Sequence, residues 1–570
     1  NSDFYTGAFP AEFGNATSGV FDLNLRTGNK DKREHSLMIG GMGVELATEG
    51  YFKKGHEASY LINYRYSTLS LMKSFLKGLG GVLPDYQDLS FKLNFPTKHL
   101  GTFAVFGLGG INQALKDPEK DSAKWEGDEP NYVINEKGKT GVVGISHQVF
   151  INSHSYIRTV LAASATYTKM AVDTLNPHTN YSQHRVGESR NLDEAYRVTV
   201  SYTNKLNAAH SIKAGVIASR LGFDFYTLNY DDADAIWRSV LNGKGRAEYY
   251  QGYAQWKYRM MKGLTLNAGW HASFFTLNNT YSMEPRAALT WQAGHNQAIT
   301  VAAGLHAKPE HLSTYLLNYN NPGTGFQYPN KNLDLTKAAH FIAGYDKGFK
   351  NGFRFKTEFY YQHLYDVPVE KKTDGYFSIL NASSINDLRN IDTLVSRGTG
   401  KNYGVDLTLE KPFNRNYYFL VTTSLYQSRY TNYSGKEFNA RYSRNYQVNM
   451  VGGKEWKNPA GRIWGVNAKV LTSGGLKQSP IDIETSRARG KVVYITNRYY
   501  TQTQPLYYRL DAGVSYKINK RKLTHTFLFD IQNLINHQNL FASYFNTREG
   551  AIKNLYQMGF FPIINYRVEF

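Results

Sequence analysis

Reading back from Phe570 in steps of two gives Val568, Tyr566, Ile564, Pro562 and Phe560. The alternate set is Glu569, Arg567, Asn565, Ile563 and Phe561. One set is apolar throughout, and the other turns polar toward the end. Side chains on a strand point alternately to its two faces, so this pattern predicts a strand that meets a different solvent on each side. The split recurs along the chain. Phe353, Phe355, Thr357, Phe359 and Tyr361 oppose Arg354, Lys356 and Glu358. Tyr403, Val405, Leu407 and Leu409 oppose Asn402, Asp406, Thr408 and Glu410, and Leu510, Ala512, Val514 and Tyr516 oppose Arg509, Asp511, Ser515 and Lys517.

A two-sheet sandwich also alternates. Two further patterns point to a transmembrane β-barrel instead. The connections alternate between short and long. Short ones include Lys53-Lys54-Gly55, Lys262-Gly263, Lys350-Asn351-Gly352 and Asn414-Arg415-Asn416, whereas 114–141, 176–195, 229–246, 309–337, 371–399, 475–507 and 542–558 read as long loops. Such asymmetry puts turns on one side of a membrane and loops on the other. Aromatic pairs such as Tyr360-Tyr361, Tyr417-Tyr418, Tyr507-Tyr508 and Phe560-Phe561 fall near strand ends, as interfacial girdles do. The reading gives about 22 strands, an even number as single-chain bacterial barrels have. The fold class is therefore all-β, an antiparallel barrel whose lumen is too wide for side chains to fill. It needs a plug, or it is an open pore.

Composition narrows the chemistry. No stretch approaches the roughly 18 apolar residues of a membrane-spanning helix. The 570 residues include no cysteine, which removes disulfides, thiolate metal sites and thiol nucleophiles. Lys and Arg number 66 against 46 Asp and Glu, a net charge of +20, but the cations are spread from end to end. Nucleic-acid binding needs a localised stripe, so it is not expected. The chain opens at Asn1 with no basic-then-apolar leader.

The first 28 residues do not alternate like the rest. Phe9-Pro10-Ala11-Glu12-Phe13-Gly14-Asn15-Ala16-Thr17-Ser18-Gly19-Val20-Phe21-Asp22-Leu23 resembles the end of the plug domain of TonB-dependent outer-membrane transporters. Gly14 and Gly19 suit turns that a side chain would obstruct, with Asp22 in the short strand that follows. Asn332-Leu333-Asp334-Leu335-Thr336-Lys337, Gly398-Thr399-Gly400-Lys401-Asn402-Tyr403-Gly404-Val405 and Asp530-Ile531-Gln532-Asn533-Leu534 are similar to the Bacteroidetes-type branch of these receptors. The final Phe570 resembles the C-terminal aromatic that the barrel-assembly machinery reads. The resemblance implies residues 1–28 as the end of a plug, 29–570 as the barrel, and the bacterial outer membrane as location. It further implies import of a scarce nutrient, with TonB, outer-membrane lipid and lipopolysaccharide as partners and room for a surface lipoprotein. The family's TonB-contacting segment and most of its plug have no counterpart in this stretch. That leaves a second expectation, a barrel subunit of a larger outer-membrane assembly without transport of its own.

Binding residues are expected in the long loops. His311, Tyr315, Tyr319, Asn320 and Tyr328 in 309–337 combine rings with amides, which suits polar ligands, or else packs the loop on its neighbours. Arg487 and Arg489 in 475–507 could meet an anion or form a solvated basic face. Asp231, Asp232 and Asp234 lack full calcium-loop spacing, and His306 and His311 fit no metal-ligand spacing. There is no G-x-S-x-G or H-E-x-x-H motif, so no catalytic residue, cofactor or metal is expected.

Overall fold

The computed structural model describes residues 2–69, 84–116, 132–176, 180–231, 236–321, 325–383, 385–388, 391, 393–546 and 549–570. Alternation becomes one closed antiparallel barrel of 22 strands. A short hairpin of β1 (Ser2–Tyr5) and β2 (Val20–Leu23) precedes it. The barrel begins with β3 (Glu34–Gly40), β4 (Gly43–Tyr51), β5 (Ser59–Ser67), β6 (Pro84–Pro96) and β7 (Thr102–Lys116). It continues through β8 (Tyr132–Asn152), β9 (Ser155–Asn176), β10 (Ser182–Lys205), β11 (His210–Asp231) and β12 (Ile236–Met261). Next come β13 (Leu264–Phe275), β14 (Thr280–Gly294) and β15 (Gln297–Lys308). The later strands run from Thr336–Gly348 and Arg354–Glu370 to Phe561–Glu569, which pairs with β3 and closes the ring.

The alternation maps onto inside and outside as expected. Trp270, Trp291, Phe341, Phe359, Trp464 and Phe527 are exposed on the outer face, where lipid replaces water as the partner for apolar surface. The opposite face carries the charges. Arg354 bridges Asp346 and Glu410, and Lys356 pairs with Glu358. The short connections are tight turns in which Gly263 and Gly352 adopt φ of +85° and +80°, a region that favours glycine. No helix among the described residues is long and apolar enough to cross a membrane.

One expectation fails. The described residues of 114–141, 176–195 and 229–246 are in large part strand rather than loop, because β8 starts at Tyr132, β10 at Ser182 and β12 at Ile236. Above the membrane the outer face no longer needs to be apolar. Lys137, Lys139, Arg190, Lys244 and Arg246 erase the hydrophobic alternation while the hydrogen-bonded ladder continues. The result is a tall sheet wall over β8–β12. Beside it the 309–337 loop folds inward. Its α1 (Leu312–Tyr315) packs with Phe225, Leu241, Phe275, Leu335 and Leu394 into the largest apolar core among the described residues.

Candidate functional site

The N-terminal segment lies against the inner wall of β12–β15 and the two strands that follow, and side chains of those strands hold it by its main chain. Arg286 of β14 donates from Nη1 to the carbonyls of Phe13 (2.5 Å), Pro10 (2.9 Å) and Phe9 (3.4 Å), while Nη2 donates to Glu284 (2.5 Å). The pair is almost fully buried, at 3% and 2% exposure, so the guanidinium keeps a carboxylate partner in a site with little water. The Phe9 ring, itself 1% exposed, sits under that guanidinium at 4.8 Å and against the His306 ring at 4.0 Å.

Two more histidines clasp the same segment. The Ala8 N–H donates to Nδ1 of His340 (3.2 Å), which leaves the proton on Nε2 to donate to the Thr17 carbonyl (3.0 Å). Nδ1 of His271 donates to the Ala11 carbonyl (2.8 Å). Thr6 donates to Glu358 (2.9 Å), and Glu12 pairs with Lys213. Gly14 passes so close to the wall that a Cβ would collide with the His271 ring and the Gln251 carboxamide. At Gly19 a Cβ would stand 2.7 Å from the Tyr5 carbonyl. Both glycines permit close approach, and Asp22 lies in β2 opposite Asp3. Three barrel side chains that recognise main-chain groups, Arg286, His271 and His340, make a docking station for a strap. They do not make a reaction centre, and no cluster of His, Asp or Glu among the described residues could hold a metal ion.

On the extracellular side, loops of the later strands enclose a cavity of about 530 Å³. Its wall includes Tyr376, Arg441, Gln478, Tyr494, Tyr500 and Phe541. The tyrosines brace one another. Tyr376 stacks on Tyr499 at 3.7 Å and meets Tyr494 and Tyr500 edge-on at 6.4 and 6.2 Å. Burial pushes the Tyr500 phenol up to about 12 and raises Tyr376 as well, so both stay neutral donors. The Gln504 amide donates to Gln478 (3.0 Å). The Arg441 N–H donates to Asn381 (2.8 Å), and its guanidinium has no ion pair among the described residues. Rings, amides and two cations without an ion pair among the described residues, Arg441 and Lys477, can hold a polar ligand with an anionic group.

The residues singled out from sequence are dispersed. Tyr315 is fully buried in the loop core, where its hydroxyl accepts from the Glu310 N–H (3.1 Å). Tyr328 donates to the Asn242 carbonyl (2.9 Å). His311 caps α1 and approaches Asp193 at 3.3 Å. Tyr319 and Asn320 pair with Gln327 and Phe326 in a short ladder, but their side chains lie outside the described residues, as do Asp232 and Asp234. In α2 (Ile483–Arg489), Arg487 donates to the Gly550 carbonyl (2.7 Å) and Arg489 is exposed in the last turn, and neither lines the cavity. Phe570 sits at the barrel seam, its ring 5.3 Å from His35. Sequence reasoning missed His271, Glu284, Arg286 and His340. The available signal was five inward-facing polar residues, counting His306, on neighbouring strands.

A family profile described as TonB dependent receptor-like, beta-barrel, matches residues 65–534. Similar solved structures include the siderophore receptor PiuA from Acinetobacter baumannii, at 12% identity and TM-score 0.69, covering 98% of this chain and 84% of that one. The ferric-catecholate import receptor Fiu from E. coli K12 matches at 11% identity and TM-score 0.67, covering 97% and 86%. The outer membrane transporter YddB from Escherichia coli matches at 12% and 0.67, covering 100% and 84%. No curated protein sequence matched the chain.

Proposed function

The chain belongs to the family of TonB-dependent receptor-like β-barrels, proteins of the bacterial outer membrane that import nutrients, and from that premise we propose how this one works. The loop cavity captures a scarce polar nutrient outside the cell. Residues 1–28 are the end of the plug, and they stay docked until TonB, acting through upstream plug, draws the strap off Arg286, His271 and His340. The observation that carries this reading is the mode of docking. The barrel holds the segment by carbonyls and N–H groups, bonds that a pull along the chain breaks one after another and that re-form when the pull ends.

The tyrosine and amide wall with one unpaired guanidinium suits a ligand bearing hydroxyls and one anionic group. PiuA and Fiu are named as siderophore and ferric-catecholate receptors, and a catecholate or carboxylate ligand would meet Arg441 with the right sign. The test is uptake in cells whose growth depends on this receptor, screened over siderophores, glycans and peptides. Arg441→Gln with Tyr376→Ala should weaken capture of the nutrient found, and loss of TonB should abolish uptake. Uptake that survives loss of TonB would overturn the reading, and an absence of TonB-dependent uptake of any nutrient would favour the assembly-subunit role.

A further inference from the structure

A second chamber, of about 440 Å³, lies against the inner wall on the side of the loop cavity that faces the short turns. Arg441 lines the loop cavity and the neighbouring Tyr442 lines this chamber, so the two follow one another into the lumen. Its wall comes from the strands Arg354–Glu370, Leu394–Asn414 and Tyr417–Thr431, and Phe4 of the N-terminal hairpin closes one side. Tyr360 and Tyr426 stand on either side of Gly404 in the ladder. A Cβ on Gly404 would lie 2.7 Å from the Tyr360 hydroxyl, so the bare backbone leaves room for that ring. The Tyr426 hydroxyl donates to the Tyr442 carbonyl (3.1 Å), which fixes a second ring at the rim.

Asp406 lies two residues beyond Gly404 and therefore on the same face. It stands directly opposite Glu358, a position where like charges destabilise a sheet. Its neighbours on this wall have cations. Asp346 and Glu410 share Arg354, and Glu358 has Lys356 together with the Thr6 hydroxyl. Asp406 has no ion pair among the described residues, and its Oδ1 is buried without a hydrogen-bond partner. The nearby amides do not turn to it. Asn402 donates to Gln362 (3.3 Å) and accepts from Ser428 (2.5 Å).

An uncompensated carboxylate among tyrosine rings selects positive charge. A bare metal ion needs several oxygen ligands in contact, and no group of acidic or histidine side chains among the described residues supplies them. An organic ammonium needs one carboxylate and the faces of rings. We propose that this chamber binds the ammonium group of an amine-bearing ligand, with Asp406 as counter-ion and Tyr360, Tyr426 and Tyr442 around the carbon chain. The route of that ligand, through the loop cavity, rests on the import reading; the binding itself does not. The loop cavity offers cations and the chamber a carboxylate, so a ligand with both charges finds a partner at each level.

Isothermal titration of the full-length protein in detergent tests this, with butylammonium as the probe, butan-1-ol as its uncharged counterpart and empty micelles as the blank. Butylammonium should bind, and the alcohol at least about tenfold more weakly, the least that a hydrogen bond to a charged group contributes. Asp406→Asn keeps the side chain's shape and should weaken butylammonium by the same factor. Tyr360→Leu keeps the carboxylate and should weaken it about fivefold through the lost ring face. Both variants should keep the heat-modifiable barrel band. No binding of butylammonium, equal binding of the alcohol, or full retention by Asp406→Asn would overturn the proposal. TonB is absent from this assay, so its failure leaves the import reading standing. Butylammonium binding in a protein that shows no TonB-dependent uptake in cells would overturn the import reading alone.

Discussion

Arg286→Met removes the Nη1 group that donates to the Phe9, Pro10 and Phe13 carbonyls and keeps a side chain of similar length. The bond at 3.4 Å is too long to count fully. The other two are charge-assisted bonds in a buried site, worth about 1.5–3 kcal/mol each, so docking of the segment loses at least about 3 kcal/mol. At about 1.4 kcal/mol per factor of ten, the undocked fraction rises about a hundredfold. A complication follows from Glu284, which is left charged and buried, at a cost of about 3–5 kcal/mol that falls on the barrel wall. The double variant E284Q/R286M removes that charge and isolates the clasp. Hydrogen exchange should show the Ala8 and Phe13 amides, bonded to His340 and to the Pro10 carbonyl, losing about two orders of magnitude of protection, while amides of β14 and β15 keep theirs. If Ala8 and Phe13 in the double variant exchange as slowly as in the parent, Arg286 does not hold the strap.

Gly14→Ala should lift the same segment without removing any hydrogen-bonding group, because its Cβ collides with His271 and Gln251, and a spin label on the strap should report a longer distance to β13. Asp482 caps α2 by accepting from the Thr485 N–H (3.0 Å) and hydroxyl (2.8 Å), and these bonds hold its carboxyl below the ordinary range. Its folded pKa is depressed, so the cap's contribution is present above the unfolded value and fades as pH falls through the folded one, and exchange at Thr485 should accelerate only at acidic pH. Deleting Phe570 removes two reciprocal main-chain bonds with His35 (2.8 and 2.9 Å) and should lower the temperature of the barrel's heat-modifiable gel shift by a few degrees, about what 1–2 kcal/mol does in a large domain.

The barrel was legible because one physical demand is repeated in every strand. Phe359 and Tyr361 must meet lipid while Lys356 and Glu358 meet water, and a period of two records that choice directly. The heights of β8–β12 were not legible, because outside the membrane the ladder continues without any constraint on the outer face, and Lys139 or Arg246 then looks like loop. The strap station was hidden for a different reason. His271, Glu284, Arg286 and His340 are far apart in sequence, and only register brings them to one level, so each alone reads as another polar lumen residue. The loop aromatics had two readings from the start. Tyr315 took the interior one, since a long ordered loop needs a core of its own.

The seam between the first and last strands is a short joint in the barrel wall. Elsewhere the sheet is laced over long runs, as between β10 and β11 from Gly187 to Lys205. The first and last strands meet where Ser36–Gly40 face Asn565–Glu569, with His35 and Phe570 tied at one end and the Gly41 N–H bonded to the Ile564 carbonyl (3.0 Å) at the other. A hoop under outward load parts at its shortest joint. Swelling of the wall, whether by heat, by detergent or by a chain threading the lumen, would unzip there first. The terminal aromatic then acts as a rivet at the end of a short weld, and opening of the whole weld would turn a closed hoop into a curled sheet with two unpaired edges.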